Sequence, residues 1–239
     1  MQKIVIDKQD KLDFRSTEAY KTLRTNIQFA GEDIKVISLT SCLPNEGKSS
    51  IAMNLSLSLA EDGKKVLLID ADMRKSIMVG RYRIADAENG LSHYLSGQCE
   101  LTETVGITDK ENLCMIVAGP IPPNPTELLG GKRFQLLLKS AKEVYDYIII
   151  DAPPLGSVVD GLIIGKLSDG VAMVVADDAI SYKFAQRIKA QLESAECKII
   201  GVILNKVRIK NEGYYNRYYG RYYGRYYRKY YGNYYGTEE

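Results

Sequence analysis

The feature that most constrains the fold is the ten-residue stretch SCLPNEGKSS (residues 41–50), which lies between an apolar run and an amphipathic one. Residues 34–40 (IKVISLT) predict a buried strand, and residues 49–60 (SSIAMNLSLSLA) place apolar side chains at helical spacing. A helix N-terminus offers unpaired backbone N–H groups and partial positive charge, both of which suit phosphate oxygens. The stretch therefore predicts a nucleotide-phosphate loop formed by Pro44, Asn45, Glu46, Gly47, Lys48, Ser49 and Ser50.

Two side chains of this loop have expected roles. Lys48 is predicted to reach the β- and γ-phosphates, and Ser49 is predicted to ligate Mg²⁺. We expect Lys48 to be exposed in the absence of nucleotide. The general pattern G-x-x-x-x-G-K-[ST] is matched except at its first glycine, where Cys42 stands.

Composition is typical of a single α/β domain. The chain has 239 residues, of which 45% are hydrophobic and 26% charged, which is enough to bury a full core. The net charge of +2 implies no global electrostatic partner. No stretch approaches the roughly eighteen apolar residues of a membrane span, and no signal peptide is recognisable, so we expect a cytoplasmic protein.

No C-x-x-C pair occurs, so the cysteines are predicted to be reduced packing residues: Cys42, Cys99, Cys114 and Cys197.

A second cluster of polar residues follows the apolar run VLLI (residues 66–69). Asp70 ends this predicted strand, and Asp72 and Arg74 come directly after it. Parallel sheets bind ligands at the carboxyl edge, and strand side chains alternate, so both carboxylates are expected on one side of that edge. We predict that Asp70 and Asp72 supply a Mg²⁺ ligand and a proton acceptor, in roles that could be exchanged, and that Arg74 beside them is also a catalytic residue.

Asp151 ends a third apolar run, YIII (residues 147–150), and is predicted to hold Mg²⁺ opposite Ser49. Further strands are predicted at residues 113–118, 170–176 and 199–204, with helices at residues 126–144 and 181–195. This alternation predicts a P-loop NTPase-like parallel sheet with helices on both faces. Asn205, at the end of the last strand, is predicted to meet the nucleotide base.

The chain has a single histidine, His93. It therefore cannot form a multi-histidine metal site, and a catalytic triad that uses histidine is not expected.

Residues 1–33 are polar and are expected to precede the first core strand. A helix is predicted at residues 17–30, with apolar residues on one face and Glu18, Lys21 and Arg24 on the other. These charges either form a solvated face or pair with a neighbouring subunit. We assign residues 1–33 as an N-terminal helical oligomerisation segment and residues 34–207 as the main domain.

Residues 208–239 differ from the rest of the chain, because they contain no aliphatic residue after Ile209 and have glycine in most spacers. This composition predicts a disordered tail. It could bind RNA through Tyr and Arg, form a cohesive low-complexity segment, or serve as a phosphorylated substrate. Six tyrosine pairs occur here, and they are the candidate phosphoacceptors: Tyr214, Tyr215, Tyr218, Tyr219, Tyr222, Tyr223, Tyr226, Tyr227, Tyr230, Tyr231, Tyr234 and Tyr235.

These stretches, with GPIPPNPTELL (residues 119–129), together resemble the bacterial tyrosine kinase family, in particular the separate cytosolic autokinases of Gram-positive capsule and exopolysaccharide clusters. The resemblance covers nearly the whole chain. It implies ATP and Mg²⁺ as cofactors, a Walker A motif at residues 41–50, Walker A′ at Asp70 and Asp72, and Walker B at Asp151. The family's E-x-x-R-x-x-R oligomerisation motif has lysine in place of its first arginine at Lys21, which loses a planar bidentate donor.

The resemblance further implies an autokinase that phosphorylates its tyrosine cluster, between subunits of a ring-forming homo-oligomer, and so regulates polysaccharide synthesis and export. Asp72 would accept or orient the tyrosine proton. Implied partners are a membrane-bound polysaccharide co-polymerase, which would recruit the kinase to the inner face of the membrane and activate it, and a tyrosine phosphatase. No nucleic-acid partner is expected.

Two other functions remain open from the sequence. One is a partitioning or cell-division ATPase, although that group resembles K-G-G-x-G-K-[ST] at the loop and Leu43 here replaces its first lysine. The other is an RNA-binding protein with a vestigial nucleotide site and a basic tail, since residues 208–239 carry seven Lys and Arg against three Glu. The fate of the γ-phosphate of ATP distinguishes the three.

Overall fold

The computed structural model describes residues 1–207, within which Met1–Asn205 form one compact unit. The described residues form a nine-stranded sheet with strand order β4-β1-β5-β6-β3-β7-β2-β8-β9. The strands are β1 (Gln2–Ile6), β2 (Val36–Ser41), β3 (Val66–Asp70), β4 (Ile84–Ala85), β5 (Gly106–Thr108), β6 (Leu113–Ile116), β7 (Tyr147–Asp151), β8 (Gly170–Ala176) and β9 (Ile199–Asn205).

The helices surround this sheet. Those within the described residues are α1 (Phe14–Gln28), α2 (Lys48–Glu61), α3 (Met78–Tyr82), α4 (Leu91–Leu95), α5 (Leu101–Thr104), α6 (Pro125–Gly130), α7 (Lys132–Lys142), α8 (Asp160–Leu167) and α9 (Tyr182–Ser194).

The centre of the sheet is parallel and fully buried. Strand β2 pairs in parallel with β7 and β8, and β3 pairs in parallel with β6 and β7. Every residue of β2 and β3 is buried, as expected for continuous apolar runs covered on both faces. The carboxyl ends of β2, β3 and β7 therefore share one edge, where the predicted site residues follow each strand.

Helices pack on both faces of the sheet, which confirms the predicted architecture. Alternate residues of β3 belong to different hydrophobic clusters: Leu68 packs with α2 residues, whereas Leu67 packs with α7 residues such as Phe134. A third cluster joins β8 to α9 through Ile188 and Leu192. Since strand side chains point alternately to opposite faces, these clusters occupy the two sides of one sheet.

The edge of the sheet differs from the prediction, because the sheet is mixed. Strand β1 pairs in parallel with β5 and antiparallel with β4, and β5 pairs antiparallel with β6. The expectation that residues 1–33 precede the first core strand is wrong, since β1 lies within them. Ile4 and Ile6 are buried at alternate positions of β1, whose partner strands β4 and β5 lie about 80 to 100 positions away in the chain.

Two predicted helices have different bounds. The helix predicted at residues 126–144 is interrupted at Gly131, whose extended backbone (φ −76°, ψ 165°) separates α6 from α7. The helix predicted at residues 17–30 begins three residues earlier, because the Asp13 side chain accepts a hydrogen bond from the Ser16 amide and caps α1. All four cysteines are free, as predicted. None of the helices in residues 1–207 has the length and apolar character needed to cross a membrane.

A candidate nucleotide site at the carboxyl edge of the sheet

The predicted phosphate loop connects β2 to α2, as expected. Gly47 is the N-cap of α2 and has a left-handed backbone (φ 97°), and no side chain caps this helix end. The first backbone N–H groups of a helix have no partner within the helix, so this end can bind phosphate oxygens. Asn205, at the end of β9, donates from Nδ2 to the Glu46 carbonyl oxygen at 2.9 Å and thus supports the loop.

The Glu46 side chain shapes this loop. It is 2% exposed, and its carboxylate accepts from the Leu43 amide at 2.7 Å and from the Ala176 amide at 3.1 Å. Because Ala176 ends β8, Glu46 ties the phosphate loop to a neighbouring strand. The sequence placed Glu46 among the nucleotide contacts, whereas its carboxylate has protein partners 3 and 130 residues away.

Lys48 is buried in the candidate site. Its side chain was expected to be exposed, but the residue is 7% exposed and neighbouring Ser49 is 8% exposed. Both lie close to Asp151: burial raises the pKa of that carboxyl, and the charge of Lys48 and a hydrogen bond with Ser49 oppose this rise. The expected exposure is therefore wrong: Lys48, the first residue of α2, is buried beside the Asp151 carboxylate.

Asp70 and Asp151 lie opposite each other on the paired strands β3 and β7. They are 0% and 1% exposed. Burial raises the pKa of Asp151 to about 6 despite Lys48 and Ser49, and burial followed by repulsion from Asp151 raises the pKa of Asp70 well above its usual range. Two carboxyl groups buried together in this way favour a bound cation.

The fit of Mg²⁺ can be judged from the atoms present. Asp151 Oδ1 is buried and has no hydrogen-bond partner, and Ser49 lies beside the same carboxylate. Within residues 1–207, no group of three or more His, Cys, Asp or Glu side chains could hold a metal ion alone. Magnesium in nucleotide sites usually takes one or two protein ligands and completes its shell with phosphates and water. Ser49 and Asp151 therefore fit a nucleotide-bound Mg²⁺.

Asp72 is the most accessible of the three carboxylates. It is half-buried, its Oδ1 accepts from the Lys75 amide at 3.1 Å, and its own amide donates to Asp70 Oδ1 at 3.3 Å. Asp70 also accepts a hydrogen bond from the Ser76 hydroxyl. The segment 70–76, which we call the carboxylate loop, is thus folded onto the end of β3.

Arg74 has partners that the sequence did not indicate. Its guanidinium donates to Asp160 at the start of α8 and to Thr126 at the start of α6. Asp160 is 1% exposed and lies 86 residues from Arg74 in the chain. Thr126 belongs to the stretch GPIPPNPTELL, but nothing in its local pattern distinguishes it from an ordinary helix-start residue.

The charged residues of α1 contact their own chain. Lys21 pairs with Glu18 at 2.8 Å within the helix, and Arg24 donates to the Ser58 carbonyl oxygen at 2.8 Å and pairs with Asp62 at 3.4 Å. Glu18 and Lys21 remain about half exposed. Their role between subunits stays a prediction. The tail tyrosines lie outside the described residues.

Comparison with known proteins gives clear relatives. A family described as an AAA domain matches residues 34–195. The tyrosine-protein kinase CpsD of Streptococcus agalactiae is 39% identical over 203 residues, covering 85% of this chain and 89% of CpsD. The tyrosine-protein kinase YwqD of Bacillus subtilis is 37% identical over 205 residues, covering 84% of this chain and 86% of YwqD.

Solved structures agree with this relationship. The kinase domain of the Escherichia coli tyrosine kinase ETK has a TM-score of 0.78 at 33% identity, covering 82% of this chain and 77% of that one. The chimerical protein CapA2B2 has a TM-score of 0.75 at 30% identity, covering 85% and 94%. The septum site-determining protein MinD of Pyrococcus horikoshii, at 24% identity and a TM-score of 0.63, covers 75% and 72% and shares the fold alone. The chain belongs to the bacterial tyrosine-protein kinase family, in the capsule and exopolysaccharide type represented by CpsD and YwqD.

Proposed function

We propose that this protein is an ATP-dependent protein-tyrosine autokinase whose acceptors are the paired tyrosines of residues 208–239. One observation carries the proposal: Asp151, with an unpartnered buried oxygen, lies beside Lys48 and Ser49 at the N-terminus of α2. This arrangement suits a metal-bound nucleotide triphosphate. The tail supplies 12 of the 18 tyrosines in the chain, which provides the phosphoryl acceptor.

The nucleotide is held by backbone and charge. The open N-terminus of α2 and the Lys48 ammonium group bind the phosphates, while Asn205 holds the loop from the side where the base would lie. Ser49 and Asp151, with Asp70 as the second carboxylate, would hold Mg²⁺. When bound, Mg²⁺ supplies charge neutralisation at the phosphoryl group that is transferred.

The acceptor side of the reaction is assigned to Asp72. A tyrosine oxygen attacks the γ-phosphorus, the bond from that phosphorus to the β,γ-bridging oxygen breaks, ADP leaves, and the tyrosine proton passes to a carboxylate. Asp70 is fully buried and lies opposite Asp151, so an incoming tyrosine hydroxyl group does not reach it. Asp72, two residues further and half-buried, can meet an incoming hydroxyl group.

Transfer between subunits of a ring-forming homo-oligomer is part of the proposal, with Glu18, Lys21 and Arg24 at the subunit contact. In this proposal a polysaccharide co-polymerase recruits the cytoplasmic kinase to the inner face of the membrane, and a tyrosine phosphatase removes the phosphates. The kinase would thereby regulate capsule or exopolysaccharide output. One observation supports a partner protein: a relative has been solved as the chimerical protein CapA2B2, whose name joins two components.

The test is incubation of the purified chain with γ-labelled ATP and Mg²⁺. We expect label on tyrosines 214–235 in the wild type and none in Lys48→Met, whereas Lys139→Met, which changes an exposed lysine of α7, should behave as the wild type. Release of free phosphate without labelled protein would instead indicate an ATPase. If the chain neither labels itself nor releases phosphate but does bind RNA, the result would favour an RNA-binding protein with a vestigial nucleotide site. A phosphosite map then shows which tyrosines are used.

A further inference from the structure

Arg74, Thr126 and Asp160 form a closed hydrogen-bonded cluster, which we call the Arg74 clamp. Arg74 Nε donates to Asp160 Oδ2 at 2.6 Å, and Arg74 Nη2 donates to Asp160 Oδ1 at 3.2 Å and to Thr126 Oγ1 at 2.9 Å. The Thr126 hydroxyl donates to Asp160 Oδ1 at 2.7 Å. Both oxygens of Asp160 are therefore engaged, and the planar guanidinium is fixed in direction as well as in position.

The Asp160 end of the clamp is anchored to the nucleotide site. Asp160 is the first residue of α8, and the next residue, Gly161, packs so closely that a Cβ there would lie 3.0 Å from the Pro153 carbonyl oxygen and 3.2 Å from Thr40 Oγ1. Thr40 Oγ1 also donates to the Pro153 carbonyl at 2.9 Å. The start of α8 is thus held against β2, which leads into the phosphate loop, and against the segment that follows Asp151.

The Arg74 end of the clamp belongs to the carboxylate loop. Within that loop Asp72 accepts from the Lys75 amide, and Asp70 accepts from Ser76, so these bonds are local. Residues 74–77 are exposed. The Arg74 side chain reaches α6 and α8 through hydrogen bonds, and Arg74 lies two positions after Asp72.

From this juxtaposition we infer that Asp160 and Thr126 are positioning residues, which hold Arg74 and, through it, hold the Asp72 carboxylate at a fixed place relative to the phosphate loop. Arg74 is then a positioning residue as well, in contrast to the catalytic role expected from the sequence. The inference rests on the proposed function for the role of Asp72, whereas the anchoring of the carboxylate loop can be measured without it.

The chemistry of the clamp favours this role over a purely stabilising one. Desolvation of the buried Asp160 carboxylate offsets much of its attraction to the more exposed Arg74, so apolar residues of similar volume often stabilise a protein equally well. An apolar pair, however, cannot set the direction of a loop as a bidentate arginine does. Stability and positioning can therefore be separated by replacing the whole pair.

The first experiment compares the wild type with Arg74→Met/Asp160→Leu, which substitutes an apolar pair. We expect a thermal stability close to that of the wild type and an ATP affinity within about twofold of it. The kcat for tyrosine phosphorylation should be about 10- to 100-fold lower. Amide hydrogen exchange in residues 70–76 should become at least tenfold faster. Normal kcat, or unchanged exchange, in the folded double variant would overturn the inference.

A second pair of variants keeps the test valid if that protein does not fold. Thr126→Val removes the bridging hydroxyl and should lower kcat and speed exchange in residues 70–76, while Thr126→Ser should restore both. Thr102→Val, at an exposed position of α5, serves as the matched control. Equal kcat and equal exchange in Thr126→Val and Thr126→Ser would reject the clamp. A wild type that labels no tyrosine would reject the proposed function instead, and the exchange measurement would still decide the anchoring.

Discussion

Gly47 and Asn205 lie in direct contact across the phosphate loop, although 158 positions separate them in the chain. A Cβ atom on Gly47 would lie well inside van der Waals distance of the Asn205 amide nitrogen. The same amide donates to the Glu46 carbonyl oxygen at 2.9 Å. The end of β9 therefore supports the backbone of the predicted phosphate loop.

Replacing Gly47 tests this contact. Gly47→Ala introduces a clash with Asn205 and places an L side chain at φ 97°, a conformation that costs about 1–3 kcal/mol. We expect ATP affinity to fall at least tenfold. Asn205→Ala, which loses only one hydrogen bond of about 1 kcal/mol, should weaken binding about fivefold.

The double variant Gly47→Ala/Asn205→Ala serves as the control, because it removes the clash and keeps the backbone cost. Its ATP affinity should lie above that of Gly47→Ala and below that of Asn205→Ala, as measured by titration with a fluorescent ATP analogue. If Gly47→Ala bound ATP as tightly as the wild type, the close contact would have no importance for the site.

The pKa of Asp151 predicts how stability depends on pH. Burial raises this pKa from 3.8 to about 6, so between these values the folded state binds more protons than the unfolded state. Stability should therefore fall as pH rises through this range, by about 1.4 kcal/mol per unit of pKa shift and about 3 kcal/mol in total. Asp151→Asn should remove this loss and make the nucleotide-free protein more stable at pH 7, while abolishing Mg²⁺-dependent transfer.

Urea unfolding at pH 4, 5, 6 and 7, without nucleotide or Mg²⁺, measures the effect. Asp177→Asn, at an exposed carboxylate after β8, is the control and should follow the wild type. If Asp151→Asn and the wild type showed the same pH dependence of stability, the raised pKa of Asp151 would not be its cause. Asp70 adds to the effect in the same direction, since its pKa is also raised by burial and by Asp151.

The centre of the fold, and the edge at which the candidate site residues gather, could be predicted from the sequence for a physical reason. An apolar run followed by Gly-Lys-Ser, by Asp70 or by Asp151 is a local pattern. In a parallel sheet the carboxyl ends of the strands meet at one edge. The pairing of β3 with β7 places Asp70 opposite Asp151, as that reasoning requires.

Interactions between distant residues were not predictable in this way. Strand β1 is buried by β4 and β5, and Arg74 is held by a residue 86 positions away. Glu46 is held at the end of β8, 130 positions away. Each of these residues has an ordinary local pattern, and only the assembled sheet shows its partner. The buried position of Lys48 was missed for the same reason, because the carboxylate beside it comes from another strand.

The division of roles between Asp70 and Asp72 is a separate prediction. Asp70 is buried against Asp151, so Asp70→Asn should raise the Mg²⁺ concentration needed for activity several-fold. Asp72→Asn should lower kcat by about 10²- to 10⁴-fold with little change in Mg²⁺ dependence, as loss of a general base usually does. Kinetics at varied Mg²⁺ separate the two. An identical response of both variants would show that the carboxylates act together.

Assembly through α1 leads to the last prediction, because the three charged residues of that helix differ in environment. Glu18 and Lys21 are about half exposed and form an i,i+3 ion pair, which contributes at most about 1 kcal/mol within one chain. Arg24 is mostly buried and bonds to the Ser58 carbonyl on α2. Glu18→Ala/Lys21→Ala should therefore leave the subunit folded and ATP-binding but dissociate the oligomer.

Arg24→Ala should act differently, by lowering stability by about 1–3 kcal/mol, since it removes a hydrogen bond to Ser58 and an ion pair with Asp62. The matched control is Lys189→Ala/Glu193→Ala, which removes an exposed i,i+4 pair of α9 with side chains 54% accessible. Sedimentation velocity of the three variants, alongside urea unfolding, separates assembly from stability. A sedimentation profile of Glu18→Ala/Lys21→Ala identical to the wild type would assign this face of α1 to solvent, because the pair would then have no partner beyond its own helix.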